Sequence, residues 1–293
     1  MVQLPSALDV KNLVGKLNIY RDTYYNDNVS LVSDAEYDKL YDKLLELEKE
    51  TGIIISNSPT QSVGYIVKSE LGKVIHDIPM LSLDKTKDIN KILSFMQDKD
   101  LIASLKLDGL AIKLKYDKGR LIQGSTRGNG EEGEDITHNV HTFVGVPLTI
   151  PYNDYIEITG ECIIHYDSFN KINESIINSD DKYKTPRNLV SGSVRQLNSE
   201  ICKSRNVYFY AYNISKDDGD IIYNKTEELN KLITLGFNYV MSIPPCNSNY
   251  IEIESIINDL KQSAKETSTP IDGVVFTYND KAYGESLGVT NNY

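Results

Sequence analysis

The sequence predicts an α+β protein, with mostly antiparallel sheets, helices packed outside them, and a small helical module in front. Three observations carry that reading. Up to Thr51 the apolar residues recur at helical spacing. From Leu101 onward the spacing changes to period two. Between two of the alternating runs stands Tyr116-Asp117-Lys118-Gly119-Arg120, a hairpin signal.

The first helix is read from Val10, Leu13, Val14, Leu17 and Tyr20, which fall on one stripe. The second opens at Ser33, where Ser33 and Glu36 form a capping-box pair and Asp34 lies in the first turn. Its stripe is Tyr37, Leu40, Tyr41, Leu44 and Leu45, and Thr51-Gly52 ends it. The turn-rich stretch from Ser56 to Lys73 reads as the connection to a second domain, so the expected division is 1–62 and 63–293. Strands are expected at LIASLKL (101–107), LAIKLKY (110–116), RLIQGST (120–126), IEITGECII (156–164), VYFYAYNI (207–214) and DGVVFTY (272–278). Two helices are expected among them, near 167–177 and 225–235.

A formal charge of −11 excludes a stand-alone nucleic-acid clamp, because phosphate binding requires a basic footprint. No apolar run approaches the roughly 18 residues of a membrane span. The N-terminal stretch lacks the features of a signal peptide. Cys162, Cys202 and Cys246 are odd in number and far apart, which reads as reduced thiols in a cytoplasmic protein rather than a disulfide framework or zinc site.

Lys106 poses the chemical question, since it interrupts an apolar strand two positions before Asp108-Gly109. Alternation places Ser104, Lys106 and Asp108 on one strand face. Taken alone, such a lysine is an ordinary half-exposed strand residue followed by a turn. Downstream, however, stands STRGNGEEGEDITHNV (125–140). There Gly128, Gly130 and Gly133 free the backbone to approach a phosphate, and Arg127 offers a planar fork for phosphate or carboxylate. Glu161 falls in a strand, Asp272-Gly273 repeats the Asp-Gly pair, and Arg187 and Arg195 stand eight residues apart.

Taken together, SDAEYDKLYDKLLELE, SPTQSVG, HDIPMLSLDK, LKLDGLAI, STRGNGEEGEDITHNV and TPRNLVSGSVRQL resemble, in order, the segments of the NAD-dependent DNA ligases of bacteria and their viruses. The resemblance implies a nucleotidyltransferase domain behind an N-terminal module that binds the nicotinamide mononucleotide half of NAD. It implies that Lys106 attacks NAD to give lysyl-AMP and that AMP then passes to the 5′-phosphate of nicked double-stranded DNA, with Mg²⁺ assisting. Lys106 would be the nucleophile, Asp108 would orient it or recruit metal, Arg127 would contact the nucleotide, Glu161 the ribose or a metal, and Asp272 would complete the carboxylate set. Tyr24, Tyr25, Asp34, Tyr37 and Asp38 match positions that hold the nicotinamide mononucleotide half. Ser82 and Leu83 match a nucleotide-lining pair, and Arg187 and Arg195, in a segment similar to a DNA-facing one, are the candidates for DNA phosphate contacts. A bacterial or phage-infected cytoplasm would be the setting.

Three positions depart from the family pattern. Ser104 stands where a glutamate usually reads the adenine amino group, Asn129 where an aspartate is usual, and Thr277 where a lysine is usual. The oligonucleotide-binding, zinc, helix-hairpin-helix and BRCT domains of the family are not expected within this chain, so sealing a nick would call for them from a second subunit or further sequence. Ser104 and Thr277 also leave open a non-catalytic nucleotide-binding relative, which would bind NAD without a covalent adduct. A third alternative is an adenylyltransferase acting on RNA or protein.

Overall fold

In the computed structural model the described residues are 7–27, 31–53, 58–60, 71–80, 85–178, 182–246 and 249–287. Helices α1 (Ala7–Asp27) and α2 (Asp34–Thr51) pair through buried Val10, Val14, Leu17 and Leu44, as the stripes require. Ser33 caps α2, its Oγ accepting the Glu36 N–H at 3.2 Å, and Gly52 closes the helix in the left-handed region at φ +66°. Near the end of α2, the buried Glu48 carboxylate accepts hydrogen bonds from Ser58 Oγ at 2.5 Å and Thr60 Oγ1 at 2.6 Å. The chain leaving the helix is thereby hooked back onto it.

Two sheets follow. In one, β2 (Leu101–Leu107) lies between β8 (Ser242–Cys246) and β9 (Ile271–Tyr278), antiparallel to both. The other has the order β4-β3-β6-β7, from β3 (Leu110–Asp117), β4 (Arg120–Thr126), β6 (Ile156–Ile163) and β7 (Tyr208–Asp217), all antiparallel. A short pair, β1 (Lys73–Ile75) with β5 (Glu132–Glu134), sits beside the second. The expected hairpin at 116–120 joins β3 to β4, with Lys118 and Gly119 both at positive φ, the conformation a two-residue hairpin loop favours.

The four-stranded sheet carries the main core on one face. Ile112, Leu114 and Tyr116 of β3, and Ile156, Ile158 and Cys162 of β6, pack against α4 (Thr137–Val140), α5 (Tyr166–Ser175), α6 (Pro186–Val194), α7 (Ser199–Ser204) and α8 (Lys225–Thr234). Ala103 and Leu105 of β2 pack on α9 (Tyr250–Glu266), while Leu101 meets α3 (Ile89–Met96). Helix α10 (Lys281–Ser286) follows β9. The α+β class and the strand assignments agree with the sequence reading, as do α5 and α8. Helices α3, α4, α6, α7, α9 and α10 and strands β1, β5 and β8 are not among the elements expected from the sequence.

One expectation needs correcting. Alternation was expected to put Asp108 on one strand face with Ser104 and Lys106, but β2 ends at Leu107, and the strand that follows, β3, belongs to the other sheet. A register shift between Lys106 and Leu107 interrupts the alternation, so Asp108 lies beyond the strand rather than on its face. The Asp108 N–H donates to Pro270 O at 2.9 Å. Gly109 then passes so close to β6 that a Cβ would lie 2.0 Å from the Cys162 carbonyl oxygen. Only glycine fits there, and the chain crosses from one sheet to the other directly after Lys106.

Candidate active site

Lys106 is the last regular pair of β2, opposite Gly273 of β9, where an added Cβ would meet nothing within 4 Å. Its Nζ donates to Asp272 Oδ2 at 2.5 Å, and the two side chains remain 31% and 35% exposed. The amine is therefore anchored yet reachable. A groove of about 950 Å³ opens beside Asp272, with Tyr166, Lys261, Lys265 and Ser268 along it.

Asp108 is fixed twice, by its backbone bond to Pro270 and by Arg187, whose NH1 lies 3.1 Å from Asp108 Oδ1. Arg187 occupies the first turn of α6, which Thr185 caps and Pro186 starts. Arg127 ends β4. Its N–H donates to Ala111 O at 2.9 Å and its Nε to Met80 O at 3.0 Å. Gly128 turns the chain at φ +57°, where a Cβ would also strike the Glu132 carbonyl. Asn129 Oδ1 then accepts the N–H groups of Glu131 and Glu132 at 2.9 and 2.6 Å. An aspartate oxygen would serve equally, so this departure leaves the loop intact.

Glu161 lies on β6 between Ala111 of β3 and Tyr210 of β7. Burial pushes its carboxyl up to about 7, against the opposing pull of Arg187, Lys106 and Arg127, while Asp108 adds to the rise. The same set of charges thus converges on one carboxyl. Lys106, Asp108, Arg127, Glu161, Asp272 and Arg187 form a single cluster at the junction of the two sheets.

Arg195 is not part of it. At the end of α6 it is only 12% exposed, with Nε 2.6 Å from Glu134 Oε2, and Glu134 also accepts the Thr126 hydroxyl at 3.1 Å. It therefore braces the strand that leads into Arg127. In the N-terminal module Tyr37 packs on the helix pair and stacks with Tyr41 at 6.4 Å, and exposed Asp38 meets Lys85 at 3.3 Å. The side chains of Tyr24, Tyr25 and Asp34, and residues Ser82 and Leu83, lie outside the described residues.

Tyr212 was missed. Its hydroxyl is pushed up by burial and by Glu161, with Arg127 opposing, which places it at the same cluster. The signal was present in VYFYAYNI, where Tyr208, Tyr210 and Tyr212 alternate with Phe209 and Ala211. Among the described residues no three His, Cys, Asp or Glu side chains gather closely enough to hold a metal by themselves. No helix among them is long and apolar enough to cross a membrane.

Comparison with known proteins adds the decisive observation. Residues 68–293 match the NAD-dependent DNA ligase adenylation domain, and residues 5–64 match the DNA ligase-like N-terminal NAD+-binding domain. The chain belongs to the NAD-dependent DNA ligase family. It is 45% identical over 282 residues to a DNA ligase of Ruminiclostridium cellulolyticum, covering 96% of this chain and 42% of that protein. A DNA ligase of Lachnoclostridium phytofermentans is 44% identical over 277 residues, 92% of this chain and 41% of that one. One from Helicobacter acinonychis is 37% identical over 283 residues, 94% and 43%. The chain therefore spans less than half the length of these ligases. Against the family pattern, Ser104 is half-buried on the Lys106 face beside Val275, and its hydroxyl makes no hydrogen bond among the described residues. Thr277 sits opposite Ile102 on β9.

Proposed function

We propose that this chain is the adenylating portion of an NAD-dependent DNA ligase, organised as 1–62 for the nicotinamide mononucleotide half and 63–293 for nucleotidyl transfer. Lys106 Nζ attacks the α-phosphorus of NAD. The N–P bond forms as the P–O bond to nicotinamide mononucleotide breaks, that mononucleotide leaves, and AMP stays on the lysine as a phosphoramidate. The amine proton departs along the hydrogen bond to Asp272, which also aims the nitrogen. Arg127 offsets the phosphate charge. Glu161, with its carboxyl pushed up to about 7, takes ribose hydroxyls. Mg²⁺, when bound, neutralises phosphate oxygens. Asp108 and Glu161 are the carboxylates that would hold it beside the phosphates. In the module, Tyr24, Tyr25, Asp34, Tyr37 and Asp38 hold the nicotinamide mononucleotide half, and Ser82 and Leu83 line the adenylate.

AMP then moves to the 5′-phosphate of nicked DNA. Arg187, at the cluster and 28% exposed, is the better placed arginine for a DNA phosphate, whereas the inward ion pair of Arg195 assigns it to bracing. Sealing also draws on oligonucleotide-binding, zinc and helix-hairpin-helix domains, from a partner subunit or further sequence.

The observation that carries this reading is the anchored, accessible Lys106 amine amid two arginines and three carboxyls. The test is incubation with NAD and Mg²⁺ followed by mass spectrometry. The expected result is one AMP-sized addition on Lys106, absent with ATP and absent in Lys106→Ala. NAD binding by calorimetry without any adduct would instead favour the non-catalytic relative.

A further inference from the structure

We propose that His76 is a positioning residue for Arg127, acting through the backbone of the loop that Arg127 opens. The inference rests on the reading of Arg127 as a nucleotide-contacting residue and extends it to the device that holds it. His76 follows β1 and is 5% exposed. Its Nε2 lies 3.0 Å from Thr126 O and 3.2 Å from Arg127 O. Two carbonyl acceptors on one ring nitrogen require Nε2 to carry the hydrogen, so Nδ1 is the bare nitrogen. Nδ1 is buried without a hydrogen-bond partner among the described residues. Burial and Lys113 push the imidazole below its ordinary range, which keeps the ring neutral.

The rest of the segment works to the same end. His76 N–H donates to Glu131 O at 2.8 Å, Met80 N–H to Gly130 O at 2.9 Å, and Met80 O receives Arg127 Nε. Residues 76–80 therefore form a strap that grips the 127–131 loop at both ends. Gly133 lets the Thr126 carbonyl come close, since a Cβ there would stand 1.8 Å from its oxygen and 3.1 Å from His76 Nε2. Within the strap, His76 is the side chain that holds the Arg127 main chain, while the Met80 carbonyl holds its guanidinium. Losing the Nε2–H removes that donor from two carbonyls and loosens the Arg127 main chain, which then keeps only its own N–H bond to Ala111 O and the bond its carbonyl accepts from the Gly130 N–H, with no change in the reacting groups.

Two variants separate this from simple core filling. His76→Phe keeps a ring and removes the donor. His76→Gln places an amide N–H near the position of Nε2. In the full chain, the single-turnover rate of Lys106 adenylation at saturating NAD should fall about 10- to 100-fold in His76→Phe and recover most of that loss in His76→Gln. The melting temperatures of the two variants should be alike. A second readout needs no activity. Arg127 helps hold the Glu161 carboxyl down, so the Glu161 titration, followed by carboxyl carbon NMR, should move to higher pH in His76→Phe and stay in place in His76→Gln. If neither the rate nor the titration moves in folded His76→Phe, or if both variants behave alike, the positioning role is wrong. If wild type forms no adduct but the titration responds as described, positioning stands and the adenylation reading fails.

Discussion

A carboxyl pushed up to about 7 is half-protonated at neutral pH, so Glu161 links the chemistry of the site to the stability of the fold. In the unfolded chain the same group ionises near its ordinary 4.5. Between those values the unfolded chain releases a proton that the native state retains. Native stability therefore declines as pH rises through that window and levels off above it. The penalty is on the order of 3 kcal/mol. Glu161→Gln removes it, so the variant should be more stable than wild type near pH 8 and no more stable near pH 4, by denaturant unfolding. A difference that does not change with pH would rule out the burial argument. For Lys106 the matching experiment is Asp272→Asn, which keeps an oxygen near Nζ and deletes the charge. Adenylation measured by mass shift should slow by about 10²-fold or more, whereas the fold, with both groups a third exposed, should be little affected. Wild-type rates in Asp272→Asn would remove Asp272 from the reaction.

Loops and strands obey the sequence more closely than the site does. Period-two runs marked out six strands, even β6, which is buried on both faces, and the Lys118-Gly119 turn was legible from its residues. Strand partners were not legible: whether β2 pairs with β3 or crosses to another sheet depends on the approach of Gly109 to Cys162, residues 53 positions apart. Tyr212 escaped notice for a similar reason, since its role depends on which strand lies beside Glu161. Helices α6 and α7 hid behind mixed composition, their amphipathic stripes being too short to stand out. The Asn129 loop offers a test at this scale. Asn129→Ala leaves the Glu131 and Glu132 N–H groups without their acceptor and should cost about 1 kcal/mol, while Asn129→Asp should be close to neutral. Equal losses in the two variants, by thermal unfolding, would contradict the account of the departure given above.

At the scale of the molecule, the site exists only because two sheets are held together, and a buried charge knot does part of that holding. Glu228 of α8 is fully buried and accepts from the Ile214 N–H of β7 at 2.9 Å, from Lys281 of α10 at 2.7 Å, and from Lys225. Lys225 also donates to the Tyr212 carbonyl at 2.6 Å, on the strand that reaches the active site. Backbone bonds run alongside, from Lys225 N–H to Asn279 O at 2.7 Å and from Lys281 N–H to Tyr223 O at 3.1 Å. The four-stranded sheet and its helix are thus tied to the end of β9, which carries Asp272. Both lysines hold the Glu228 carboxyl below its ordinary range despite burial. Removing one partner of such a set strands the others in a dry interior. Glu228→Ala, which leaves the ammonium groups of Lys225 and Lys281 without their carboxylate and facing a void, should destabilise by about 3 kcal/mol. Lys281→Met keeps the Lys225–Glu228 pair, and because Lys281 is a fifth exposed, its loss should be much smaller. If the knot serves the site as well as the fold, Lys281→Met should still slow Lys106 adenylation under conditions where it is fully folded, because Asp272 and Glu161 then lose one tie between their sheets. An unchanged adenylation rate in folded Lys281→Met would confine the knot to stability and leave alignment of the two sheets to the crossover at Gly109, which passes close against the Cys162 carbonyl of β6.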